Sequence, residues 1–331
     1  MLPAVSQARG VVWSAQPTTV FGSMAGVSCA SAGVCVAVGE VGYKGPPGAM
    51  GWDGQRWAEE SVPNPGPAPG SADTPEGLTD VSCPSSTACV AVGLYDNALG
   101  EQLPMAVEWN GDAWSALPAP SDPAEGISCV SSTACMAVGG AYDQSGSAHA
   151  FAEWWDGSAW SIESMPSPGG LADPTLNSVS CTSASACMAI GASSVRRRPQ
   201  PIAARWDGSS WALERLPKRA GAFFVQLSQV SCASLTACVA VGSYSTSEAQ
   251  SYSGTLIEQW NGVTWTEQST PGEFELRGVS AAPLGPAQPS ATARAHPAST
   301  APWWNGWVVQ LGRFPGSGVA LGSRPSHARR A

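Results

Sequence analysis

The chain has 331 residues, 43% hydrophobic and 12% charged, which is the balance of a folded protein and excludes disorder as its general state. A formal net charge of −9 argues against a nucleic-acid partner, because phosphate binding needs clustered Lys and Arg. No run of about 18 apolar residues is present, so a membrane-spanning helix is excluded on length.

In chain order, residues 1–10 read as a disordered N-terminus without the charged and apolar regions of a secretory signal, and the start is expected to be truncated. VVWSAQPTTV, residues 11–20, reads as an orphan strand carrying Trp13. A unit then begins near residue 25 and recurs near 78, 125, 176 and 227, a period of about fifty residues. Each unit contains VSC or ISC, five residues, CxAxG, a variable stretch and W-[DN]-G-x-x-W.

Four short strands can be read in every unit. The first ends at one cysteine; the second starts at the next and runs through segments such as VAVG, apolar at nearly every position as expected when both faces are covered. The third carries segments such as PMAVEW and LIEQW, and the fourth holds the second tryptophan. Asn-Gly and Asp-Gly favour hairpin turns, so the two tryptophans of a box are expected on one face; with a two-residue turn, Trp109 and Trp114 would be diagonal neighbours. Four antiparallel strands per fifty residues, with 37 Gly and 28 Pro overall, give an all-β fold: a β-propeller with five clear repeats, an N-terminal orphan strand and a degraded last blade, making six blades or a broken seven. A β-solenoid or a pair of sandwiches is the alternative.

All ten cysteines fall in the repeats, as Cys29 and Cys35, Cys83 and Cys89, Cys129 and Cys135, Cys181 and Cys187, Cys232 and Cys238. Cysteines facing each other across a tight hairpin suit a disulfide, each contributing roughly 2 to 3 kcal/mol. Reduced buried thiols are the alternative. A zinc site is disfavoured by the lack of CxxC and of paired histidines, and no metal or cofactor is expected. Disulfides of this kind place the protein outside the cytosol, extracellular or at a cell surface.

CVAVG followed by a W-D-G-x-x-W turn resembles kelch and galactose-oxidase-like propellers, and especially the secreted repeat proteins of high-GC actinobacteria with VSC-x5-CxAVG units. The resemblance covers about residues 12–280 and implies the fold and export while leaving activity open. No motif for the copper ligands of galactose oxidase is visible, so that chemistry is not implied.

The propeller is expected over residues 11–280. Residues 281–331 contain no Asp or Glu, so all 25 acids lie before them. After LRGVS the pattern demands a cysteine and finds AAPLGPAQPSAT, which reads either as a basic, proline-rich tail or as a frame-shifted last blade.

Function is expected on the rim opposite the disulfides, where the loops between second and third strands vary in length and sequence. Tyr43, Tyr95, Tyr142 and Tyr244 recur just after the second strand, two of them followed by Asp96 and Asp143. Around a central channel, Tyr and Asp would suit sugars through stacking and hydroxyl hydrogen bonds; tyrosines that merely close strand ends are the plainer reading. Arg196, Arg197 and Arg198 read as a solvated loop. Glu153 and Glu258 occupy equivalent positions, which favours structural hydrogen bonding over catalysis. The expectation is a monomeric binding scaffold for a carbohydrate or a protein, with no catalytic residue assigned. The alternative is a propeller-fold hydrolase or lyase acting through Asp96 and Asp143 at the channel mouth.

Overall fold

The computed structural model describes residues 22–42, 45–66, 77–142, 147–166, 172–195, 198–248, 253–268 and 275–279, with further backbone at 291–296, 307–313 and 319–320. All regular structure among these residues is strand. Blade one comprises β1 (Gly22–Ser31), β2 (Val34–Val41), β3 (Pro47–Trp52) and β4 (Trp57–Glu60); blade two comprises β5 (Gly77–Ser85), β6 (Ala88–Asp96), β7 (Gln102–Trp109) and β8 (Trp114–Leu117). Blade three is β9 (Ala124–Ser131), β10 (Ala134–Tyr142), β11 (Ala148–Trp155) and β12 (Trp160–Ile162); blade four is β13 (Ala172–Ser183), β14 (Ala186–Val195), β15 (Arg198–Trp206) and β16 (Trp211–Glu214). Blade five is β17 (Phe224–Ser234), β18 (Ala237–Ser245), β19 (Gly254–Trp260) and β20 (Trp265–Glu267). Each blade is an antiparallel sheet in sequence order, and the first strands of successive blades touch, so the blades stand in a ring as a β-propeller. β21 (Glu275–Gly278), β22 (Ala291–His296), β23 (Trp307–Arg313) and β24 (Val319–Ala320) pair as a sixth sheet beyond blade five. The expected orphan strand at 11–20 lies outside the described residues.

The cysteine motif is a local staple. Cys29–Cys35, Cys83–Cys89, Cys129–Cys135, Cys181–Cys187 and Cys232–Cys238 are all bonded, across the hairpins between first and second strands. The glycine ending CxAxG has a steric cause. The first strand carries an irregularity opposite it, as between Leu176 and Ser178, and this brings a carbonyl inward. A Cβ on Gly191 would lie 1.9 Å from the Thr175 carbonyl oxygen, and one on Gly242 2.0 Å from that of Gln226.

The tryptophan boxes differ from the two-residue turn anticipated. Trp109 and Trp114 are direct register partners across a four-residue loop, as are the other four pairs. The reason is the Asp or Asn side chain: Asp53 Oδ1 accepts the N–H groups of both Gln55 and Arg56 at 2.8 Å, and Asn110, Asp156, Asp207 and Asn261 act alike. The turn glycines then take φ values between 90° and 99°, where a side chain is strained. The hydrogen bonds, led by that from the Ser209 hydroxyl, lower the Asp207 carboxyl to about 2. Ring centroids within each pair lie 5.3 to 5.8 Å apart at tilts of 42° to 46°, a favourable aromatic geometry.

The core sits between blades. Val36 and Val38 of blade one pack with Leu78 and Val81 of blade two, and Met188 and Ile190 of blade four with Leu227 and Val230 of blade five. Both faces of each second strand are therefore covered, which explains its unbroken apolar run. Polar bonds cross the same seams. The hydroxyl of the serine in VSC accepts the N–H of the next blade's cysteine: Ser28 from Cys83, Ser82 from Cys129 and Ser128 from Cys181 at 2.9 Å, and Ser180 from Cys232 at 3.0 Å. Two residues before that cysteine, Asp80 accepts the Ile127 N–H at 3.0 Å and Ser178 the Val230 N–H at 3.3 Å. Burial pushes the Asp80 carboxyl up to about 6 against the pull of the Ile127 and Val81 N–H groups.

Candidate functional site

Second strands run from the disulfides to the opposite rim, where they meet the variable loops and the linkers that arrive from the preceding blade. One rim repeats the same staples and turns in every blade; the other does not.

The tyrosines expected on the variable rim separate by strand position. Tyr95 and Tyr244 both stand two residues beyond the CxAxG glycine, whereas Tyr142 stands three beyond it and so faces the other side of its strand. Tyr142 is 75% exposed. Tyr95 packs into the seam of blades one and two, where a Cβ on Gly66 of the incoming linker would touch its ring at 3.4 Å. Tyr244 packs into the seam of blades four and five. Asp96 is only 1% exposed, buried at the end of β6. Tyr43, Asp143, Arg196 and Arg197 lie outside the described residues. The described tyrosines thus divide between one exposed position and two separate seams.

The loop of blade two is ordered by Asn97, whose Oδ1 accepts the N–H groups of Leu99 and Glu101 at 2.9 and 3.0 Å while its Nδ2 donates to Glu101 Oε2 at 2.8 Å. Leu99 is left 83% exposed at the tip.

Glu153 and Glu258 do occupy equivalent positions, each opposite the alanine of CxA, Ala137 and Ala240. Both are 2% exposed, yet their surroundings differ. The Glu153 carboxylate accepts the N–H of Ser121 at 3.0 and 3.2 Å and also its hydroxyl, so the linker entering blade three satisfies it. In blade five the linker brings Arg219. Its guanidinium lies 3.6 Å over the centre of the Tyr244 ring and donates to Glu267, which is the cross-strand partner of Glu258. Among the described residues Glu258 Oε2 has no hydrogen-bond partner. Burial first, and the Glu267 charge second, push the Glu258 carboxyl up to about 8, with Arg219 acting against them. Arg219 and Glu267 escaped the sequence reading. The available signal was the combination of an acid at the position of Glu258 with an acid at that of Glu267, which none of blades one to four carries.

Among the described residues no group of three or more His, Cys, Asp or Glu is placed to hold a metal ion. No helix there is long and apolar enough to cross a membrane.

No sequence-family model matches the chain, and no curated protein sequence matches it. Solved structures do. The SapL1 lectin, determined with α-methyl fucoside, superposes with a TM-score of 0.53 at 13% identity over 92% of this chain and 96% of its own. The xyloglucanase of Xanthomonas campestris gives 0.56 at 17% identity, and the Trypanosoma rangeli sialidase 0.52 at 11%. They cover 91% and 84% of this chain, which spans only 45% and 53% of theirs. At these identities the likeness establishes the architecture, a β-propeller.

Proposed function

We propose that this protein is an extracellular carbohydrate-binding propeller in which the disulfide rim is scaffold and the opposite rim binds. The observation that carries the reading is the segregation of chemistry. Disulfides, Asx turns and tryptophan pairs repeat blade by blade on one side, while the other presents the exposed Tyr142, the Asn97-ordered loop and the Arg219 cluster, each found once among the described residues. Binding groups concentrate on variable loops held by a rigid frame. Superposition on a lectin over 92% of this chain supports the same reading, and five disulfides fit an oxidising compartment.

One observation favours a second reading, a glycan-active hydrolase or lyase. Glu258 stays protonated near neutrality beside a second carboxyl, as an acid catalyst would. The acids named from the sequence give it less support, since Asp96 is buried. A glycan array of the disulfide-bonded protein, with mass spectrometry of the eluted sugars, separates the readings. Bound and unaltered sugar supports the binding module, shortened or unsaturated sugar supports the enzyme, and no sugar retained rejects both.

A further inference from the structure

We propose that the shoulder of blade five is a subsite for a neutral sugar, in which Arg219 and Glu267 engage two adjacent hydroxyls and Glu258 receives a third polar group; this rests on the carbohydrate-binding reading above. Arg219 is fixed from two sides, stacked on Tyr244 and bonded to Glu267, so its remaining N–H groups are oriented without further loss of side-chain freedom. The side chains of Arg219 and Glu267 are 29% and 30% exposed, which leaves an edge of the pair open to solvent. A donor fork beside a carboxylate matches vicinal hydroxyls, each of which both accepts and donates.

Glu258 supplies the independent pointer. A buried polar atom without a partner costs about 1 to 3 kcal/mol and calls for an explanation. The equivalent Glu153 shows the satisfied state, with Ser121 of the linker filling its oxygens. Blade five has replaced that internal donor by an arginine that donates to Glu267 instead, leaving Oε2 unmet among the described residues at 2% exposure of the residue. Protonated at neutral pH, Glu258 can both give and take a hydrogen bond.

None of blades one to four holds this set. At the position of Glu258 the other blades carry Met50, Val107, Glu153 and Ala204, and at that of Glu267 they carry Glu59, Ala116, Ile162 and Leu213. Binding groups that break a repeat are the mark of a specific site, because repeated ones serve the scaffold. The sugar class follows from charge. Arg219 and Glu267 neutralise each other, and a protein of net charge −9 repels uronic and sialic acids.

The test uses the full disulfide-bonded chain on an array of neutral and sialylated oligosaccharides, followed by NMR titration with methyl glycosides of the neutral sugars retained. Glu267→Gln and Arg219→Lys are each expected to weaken binding tenfold or more. Val263→Ser, 78% exposed on the opposite rim, is expected to bind as the parent does. Glu267→Gln keeps the side chain's shape on a part-exposed edge, so it carries the test should Arg219→Lys fail to fold. If the parent binds neutral sugars and Glu267→Gln binds them equally well, this subsite is wrong while the carbohydrate reading stands. Retention of sialylated sugars alone overturns the charge argument and the subsite with it, and retention of none overturns both.

Discussion

Replacing Glu258 by Gln removes a buried acid while keeping its size, and its effect on stability is set by linkage. In the fold the carboxyl titrates near 8, against 4.5 for an ordinary glutamate. A raised carboxyl favours the folded state while both states are protonated, below about 4.5, and that advantage is lost as the pH climbs to the folded value. Glutamine does not titrate. The variant should therefore match the parent near pH 4, exceed it by about 3 kcal/mol at pH 7 and by about 5 kcal/mol at pH 9, at about 1.36 kcal/mol per unit, with these figures as ceilings. Guanidinium unfolding at several pH values, followed by tryptophan fluorescence without reductant, measures the difference directly. An advantage that stays flat across this range, or a Gln variant less stable than the parent at pH 9, would refute the claim that Glu258 is held protonated by its surroundings.

The other expectations concern the frame. Ser128→Ala leaves the Cys181 N–H unmet in the seam of blades three and four and should cost about 1 to 3 kcal/mol, read as a lower unfolding midpoint; serine at the exposed position 132 serves as the contrast. Gly191→Ala drives a methyl into the Thr175 carbonyl and should cost about 1 to 3 kcal/mol, with amide exchange accelerating first in β13 and β14. Removing one staple, as in Cys129→Ser with Cys135→Ser, opens a short loop and should cost about 2 kcal/mol while leaving the sheet intact by circular dichroism.

What could be read in the sequence was what a few neighbouring residues determine among themselves. Two cysteines six positions apart close a hairpin, and an Asp or Asn before Gly folds a turn, wherever they occur. The glycine of CxAxG could be seen to recur in every unit, whereas its cause, the Thr175 or Gln226 carbonyl from the strand before, could not. The tryptophan register was misjudged because the Asx bonds that lengthen the turn depend on side-chain geometry more than on the presence of Gly.

The tertiary structure alone decided the seams and the cluster on blade five. Ser28 reaches Cys83, and Arg219 reaches Glu267, across a full repeat of chain, where neither residue carries a local signature of its partner. Glu153 and Glu258 occupy the same place in the strand pattern; they part because one linker delivers a serine and the other an arginine, and because Glu267 stands opposite one where Ile162 stands opposite the other. Period and polarity specify the wedge because they act within it, whereas chemistry between wedges depends on how far each linker drapes over the next, and only packing fixes that distance.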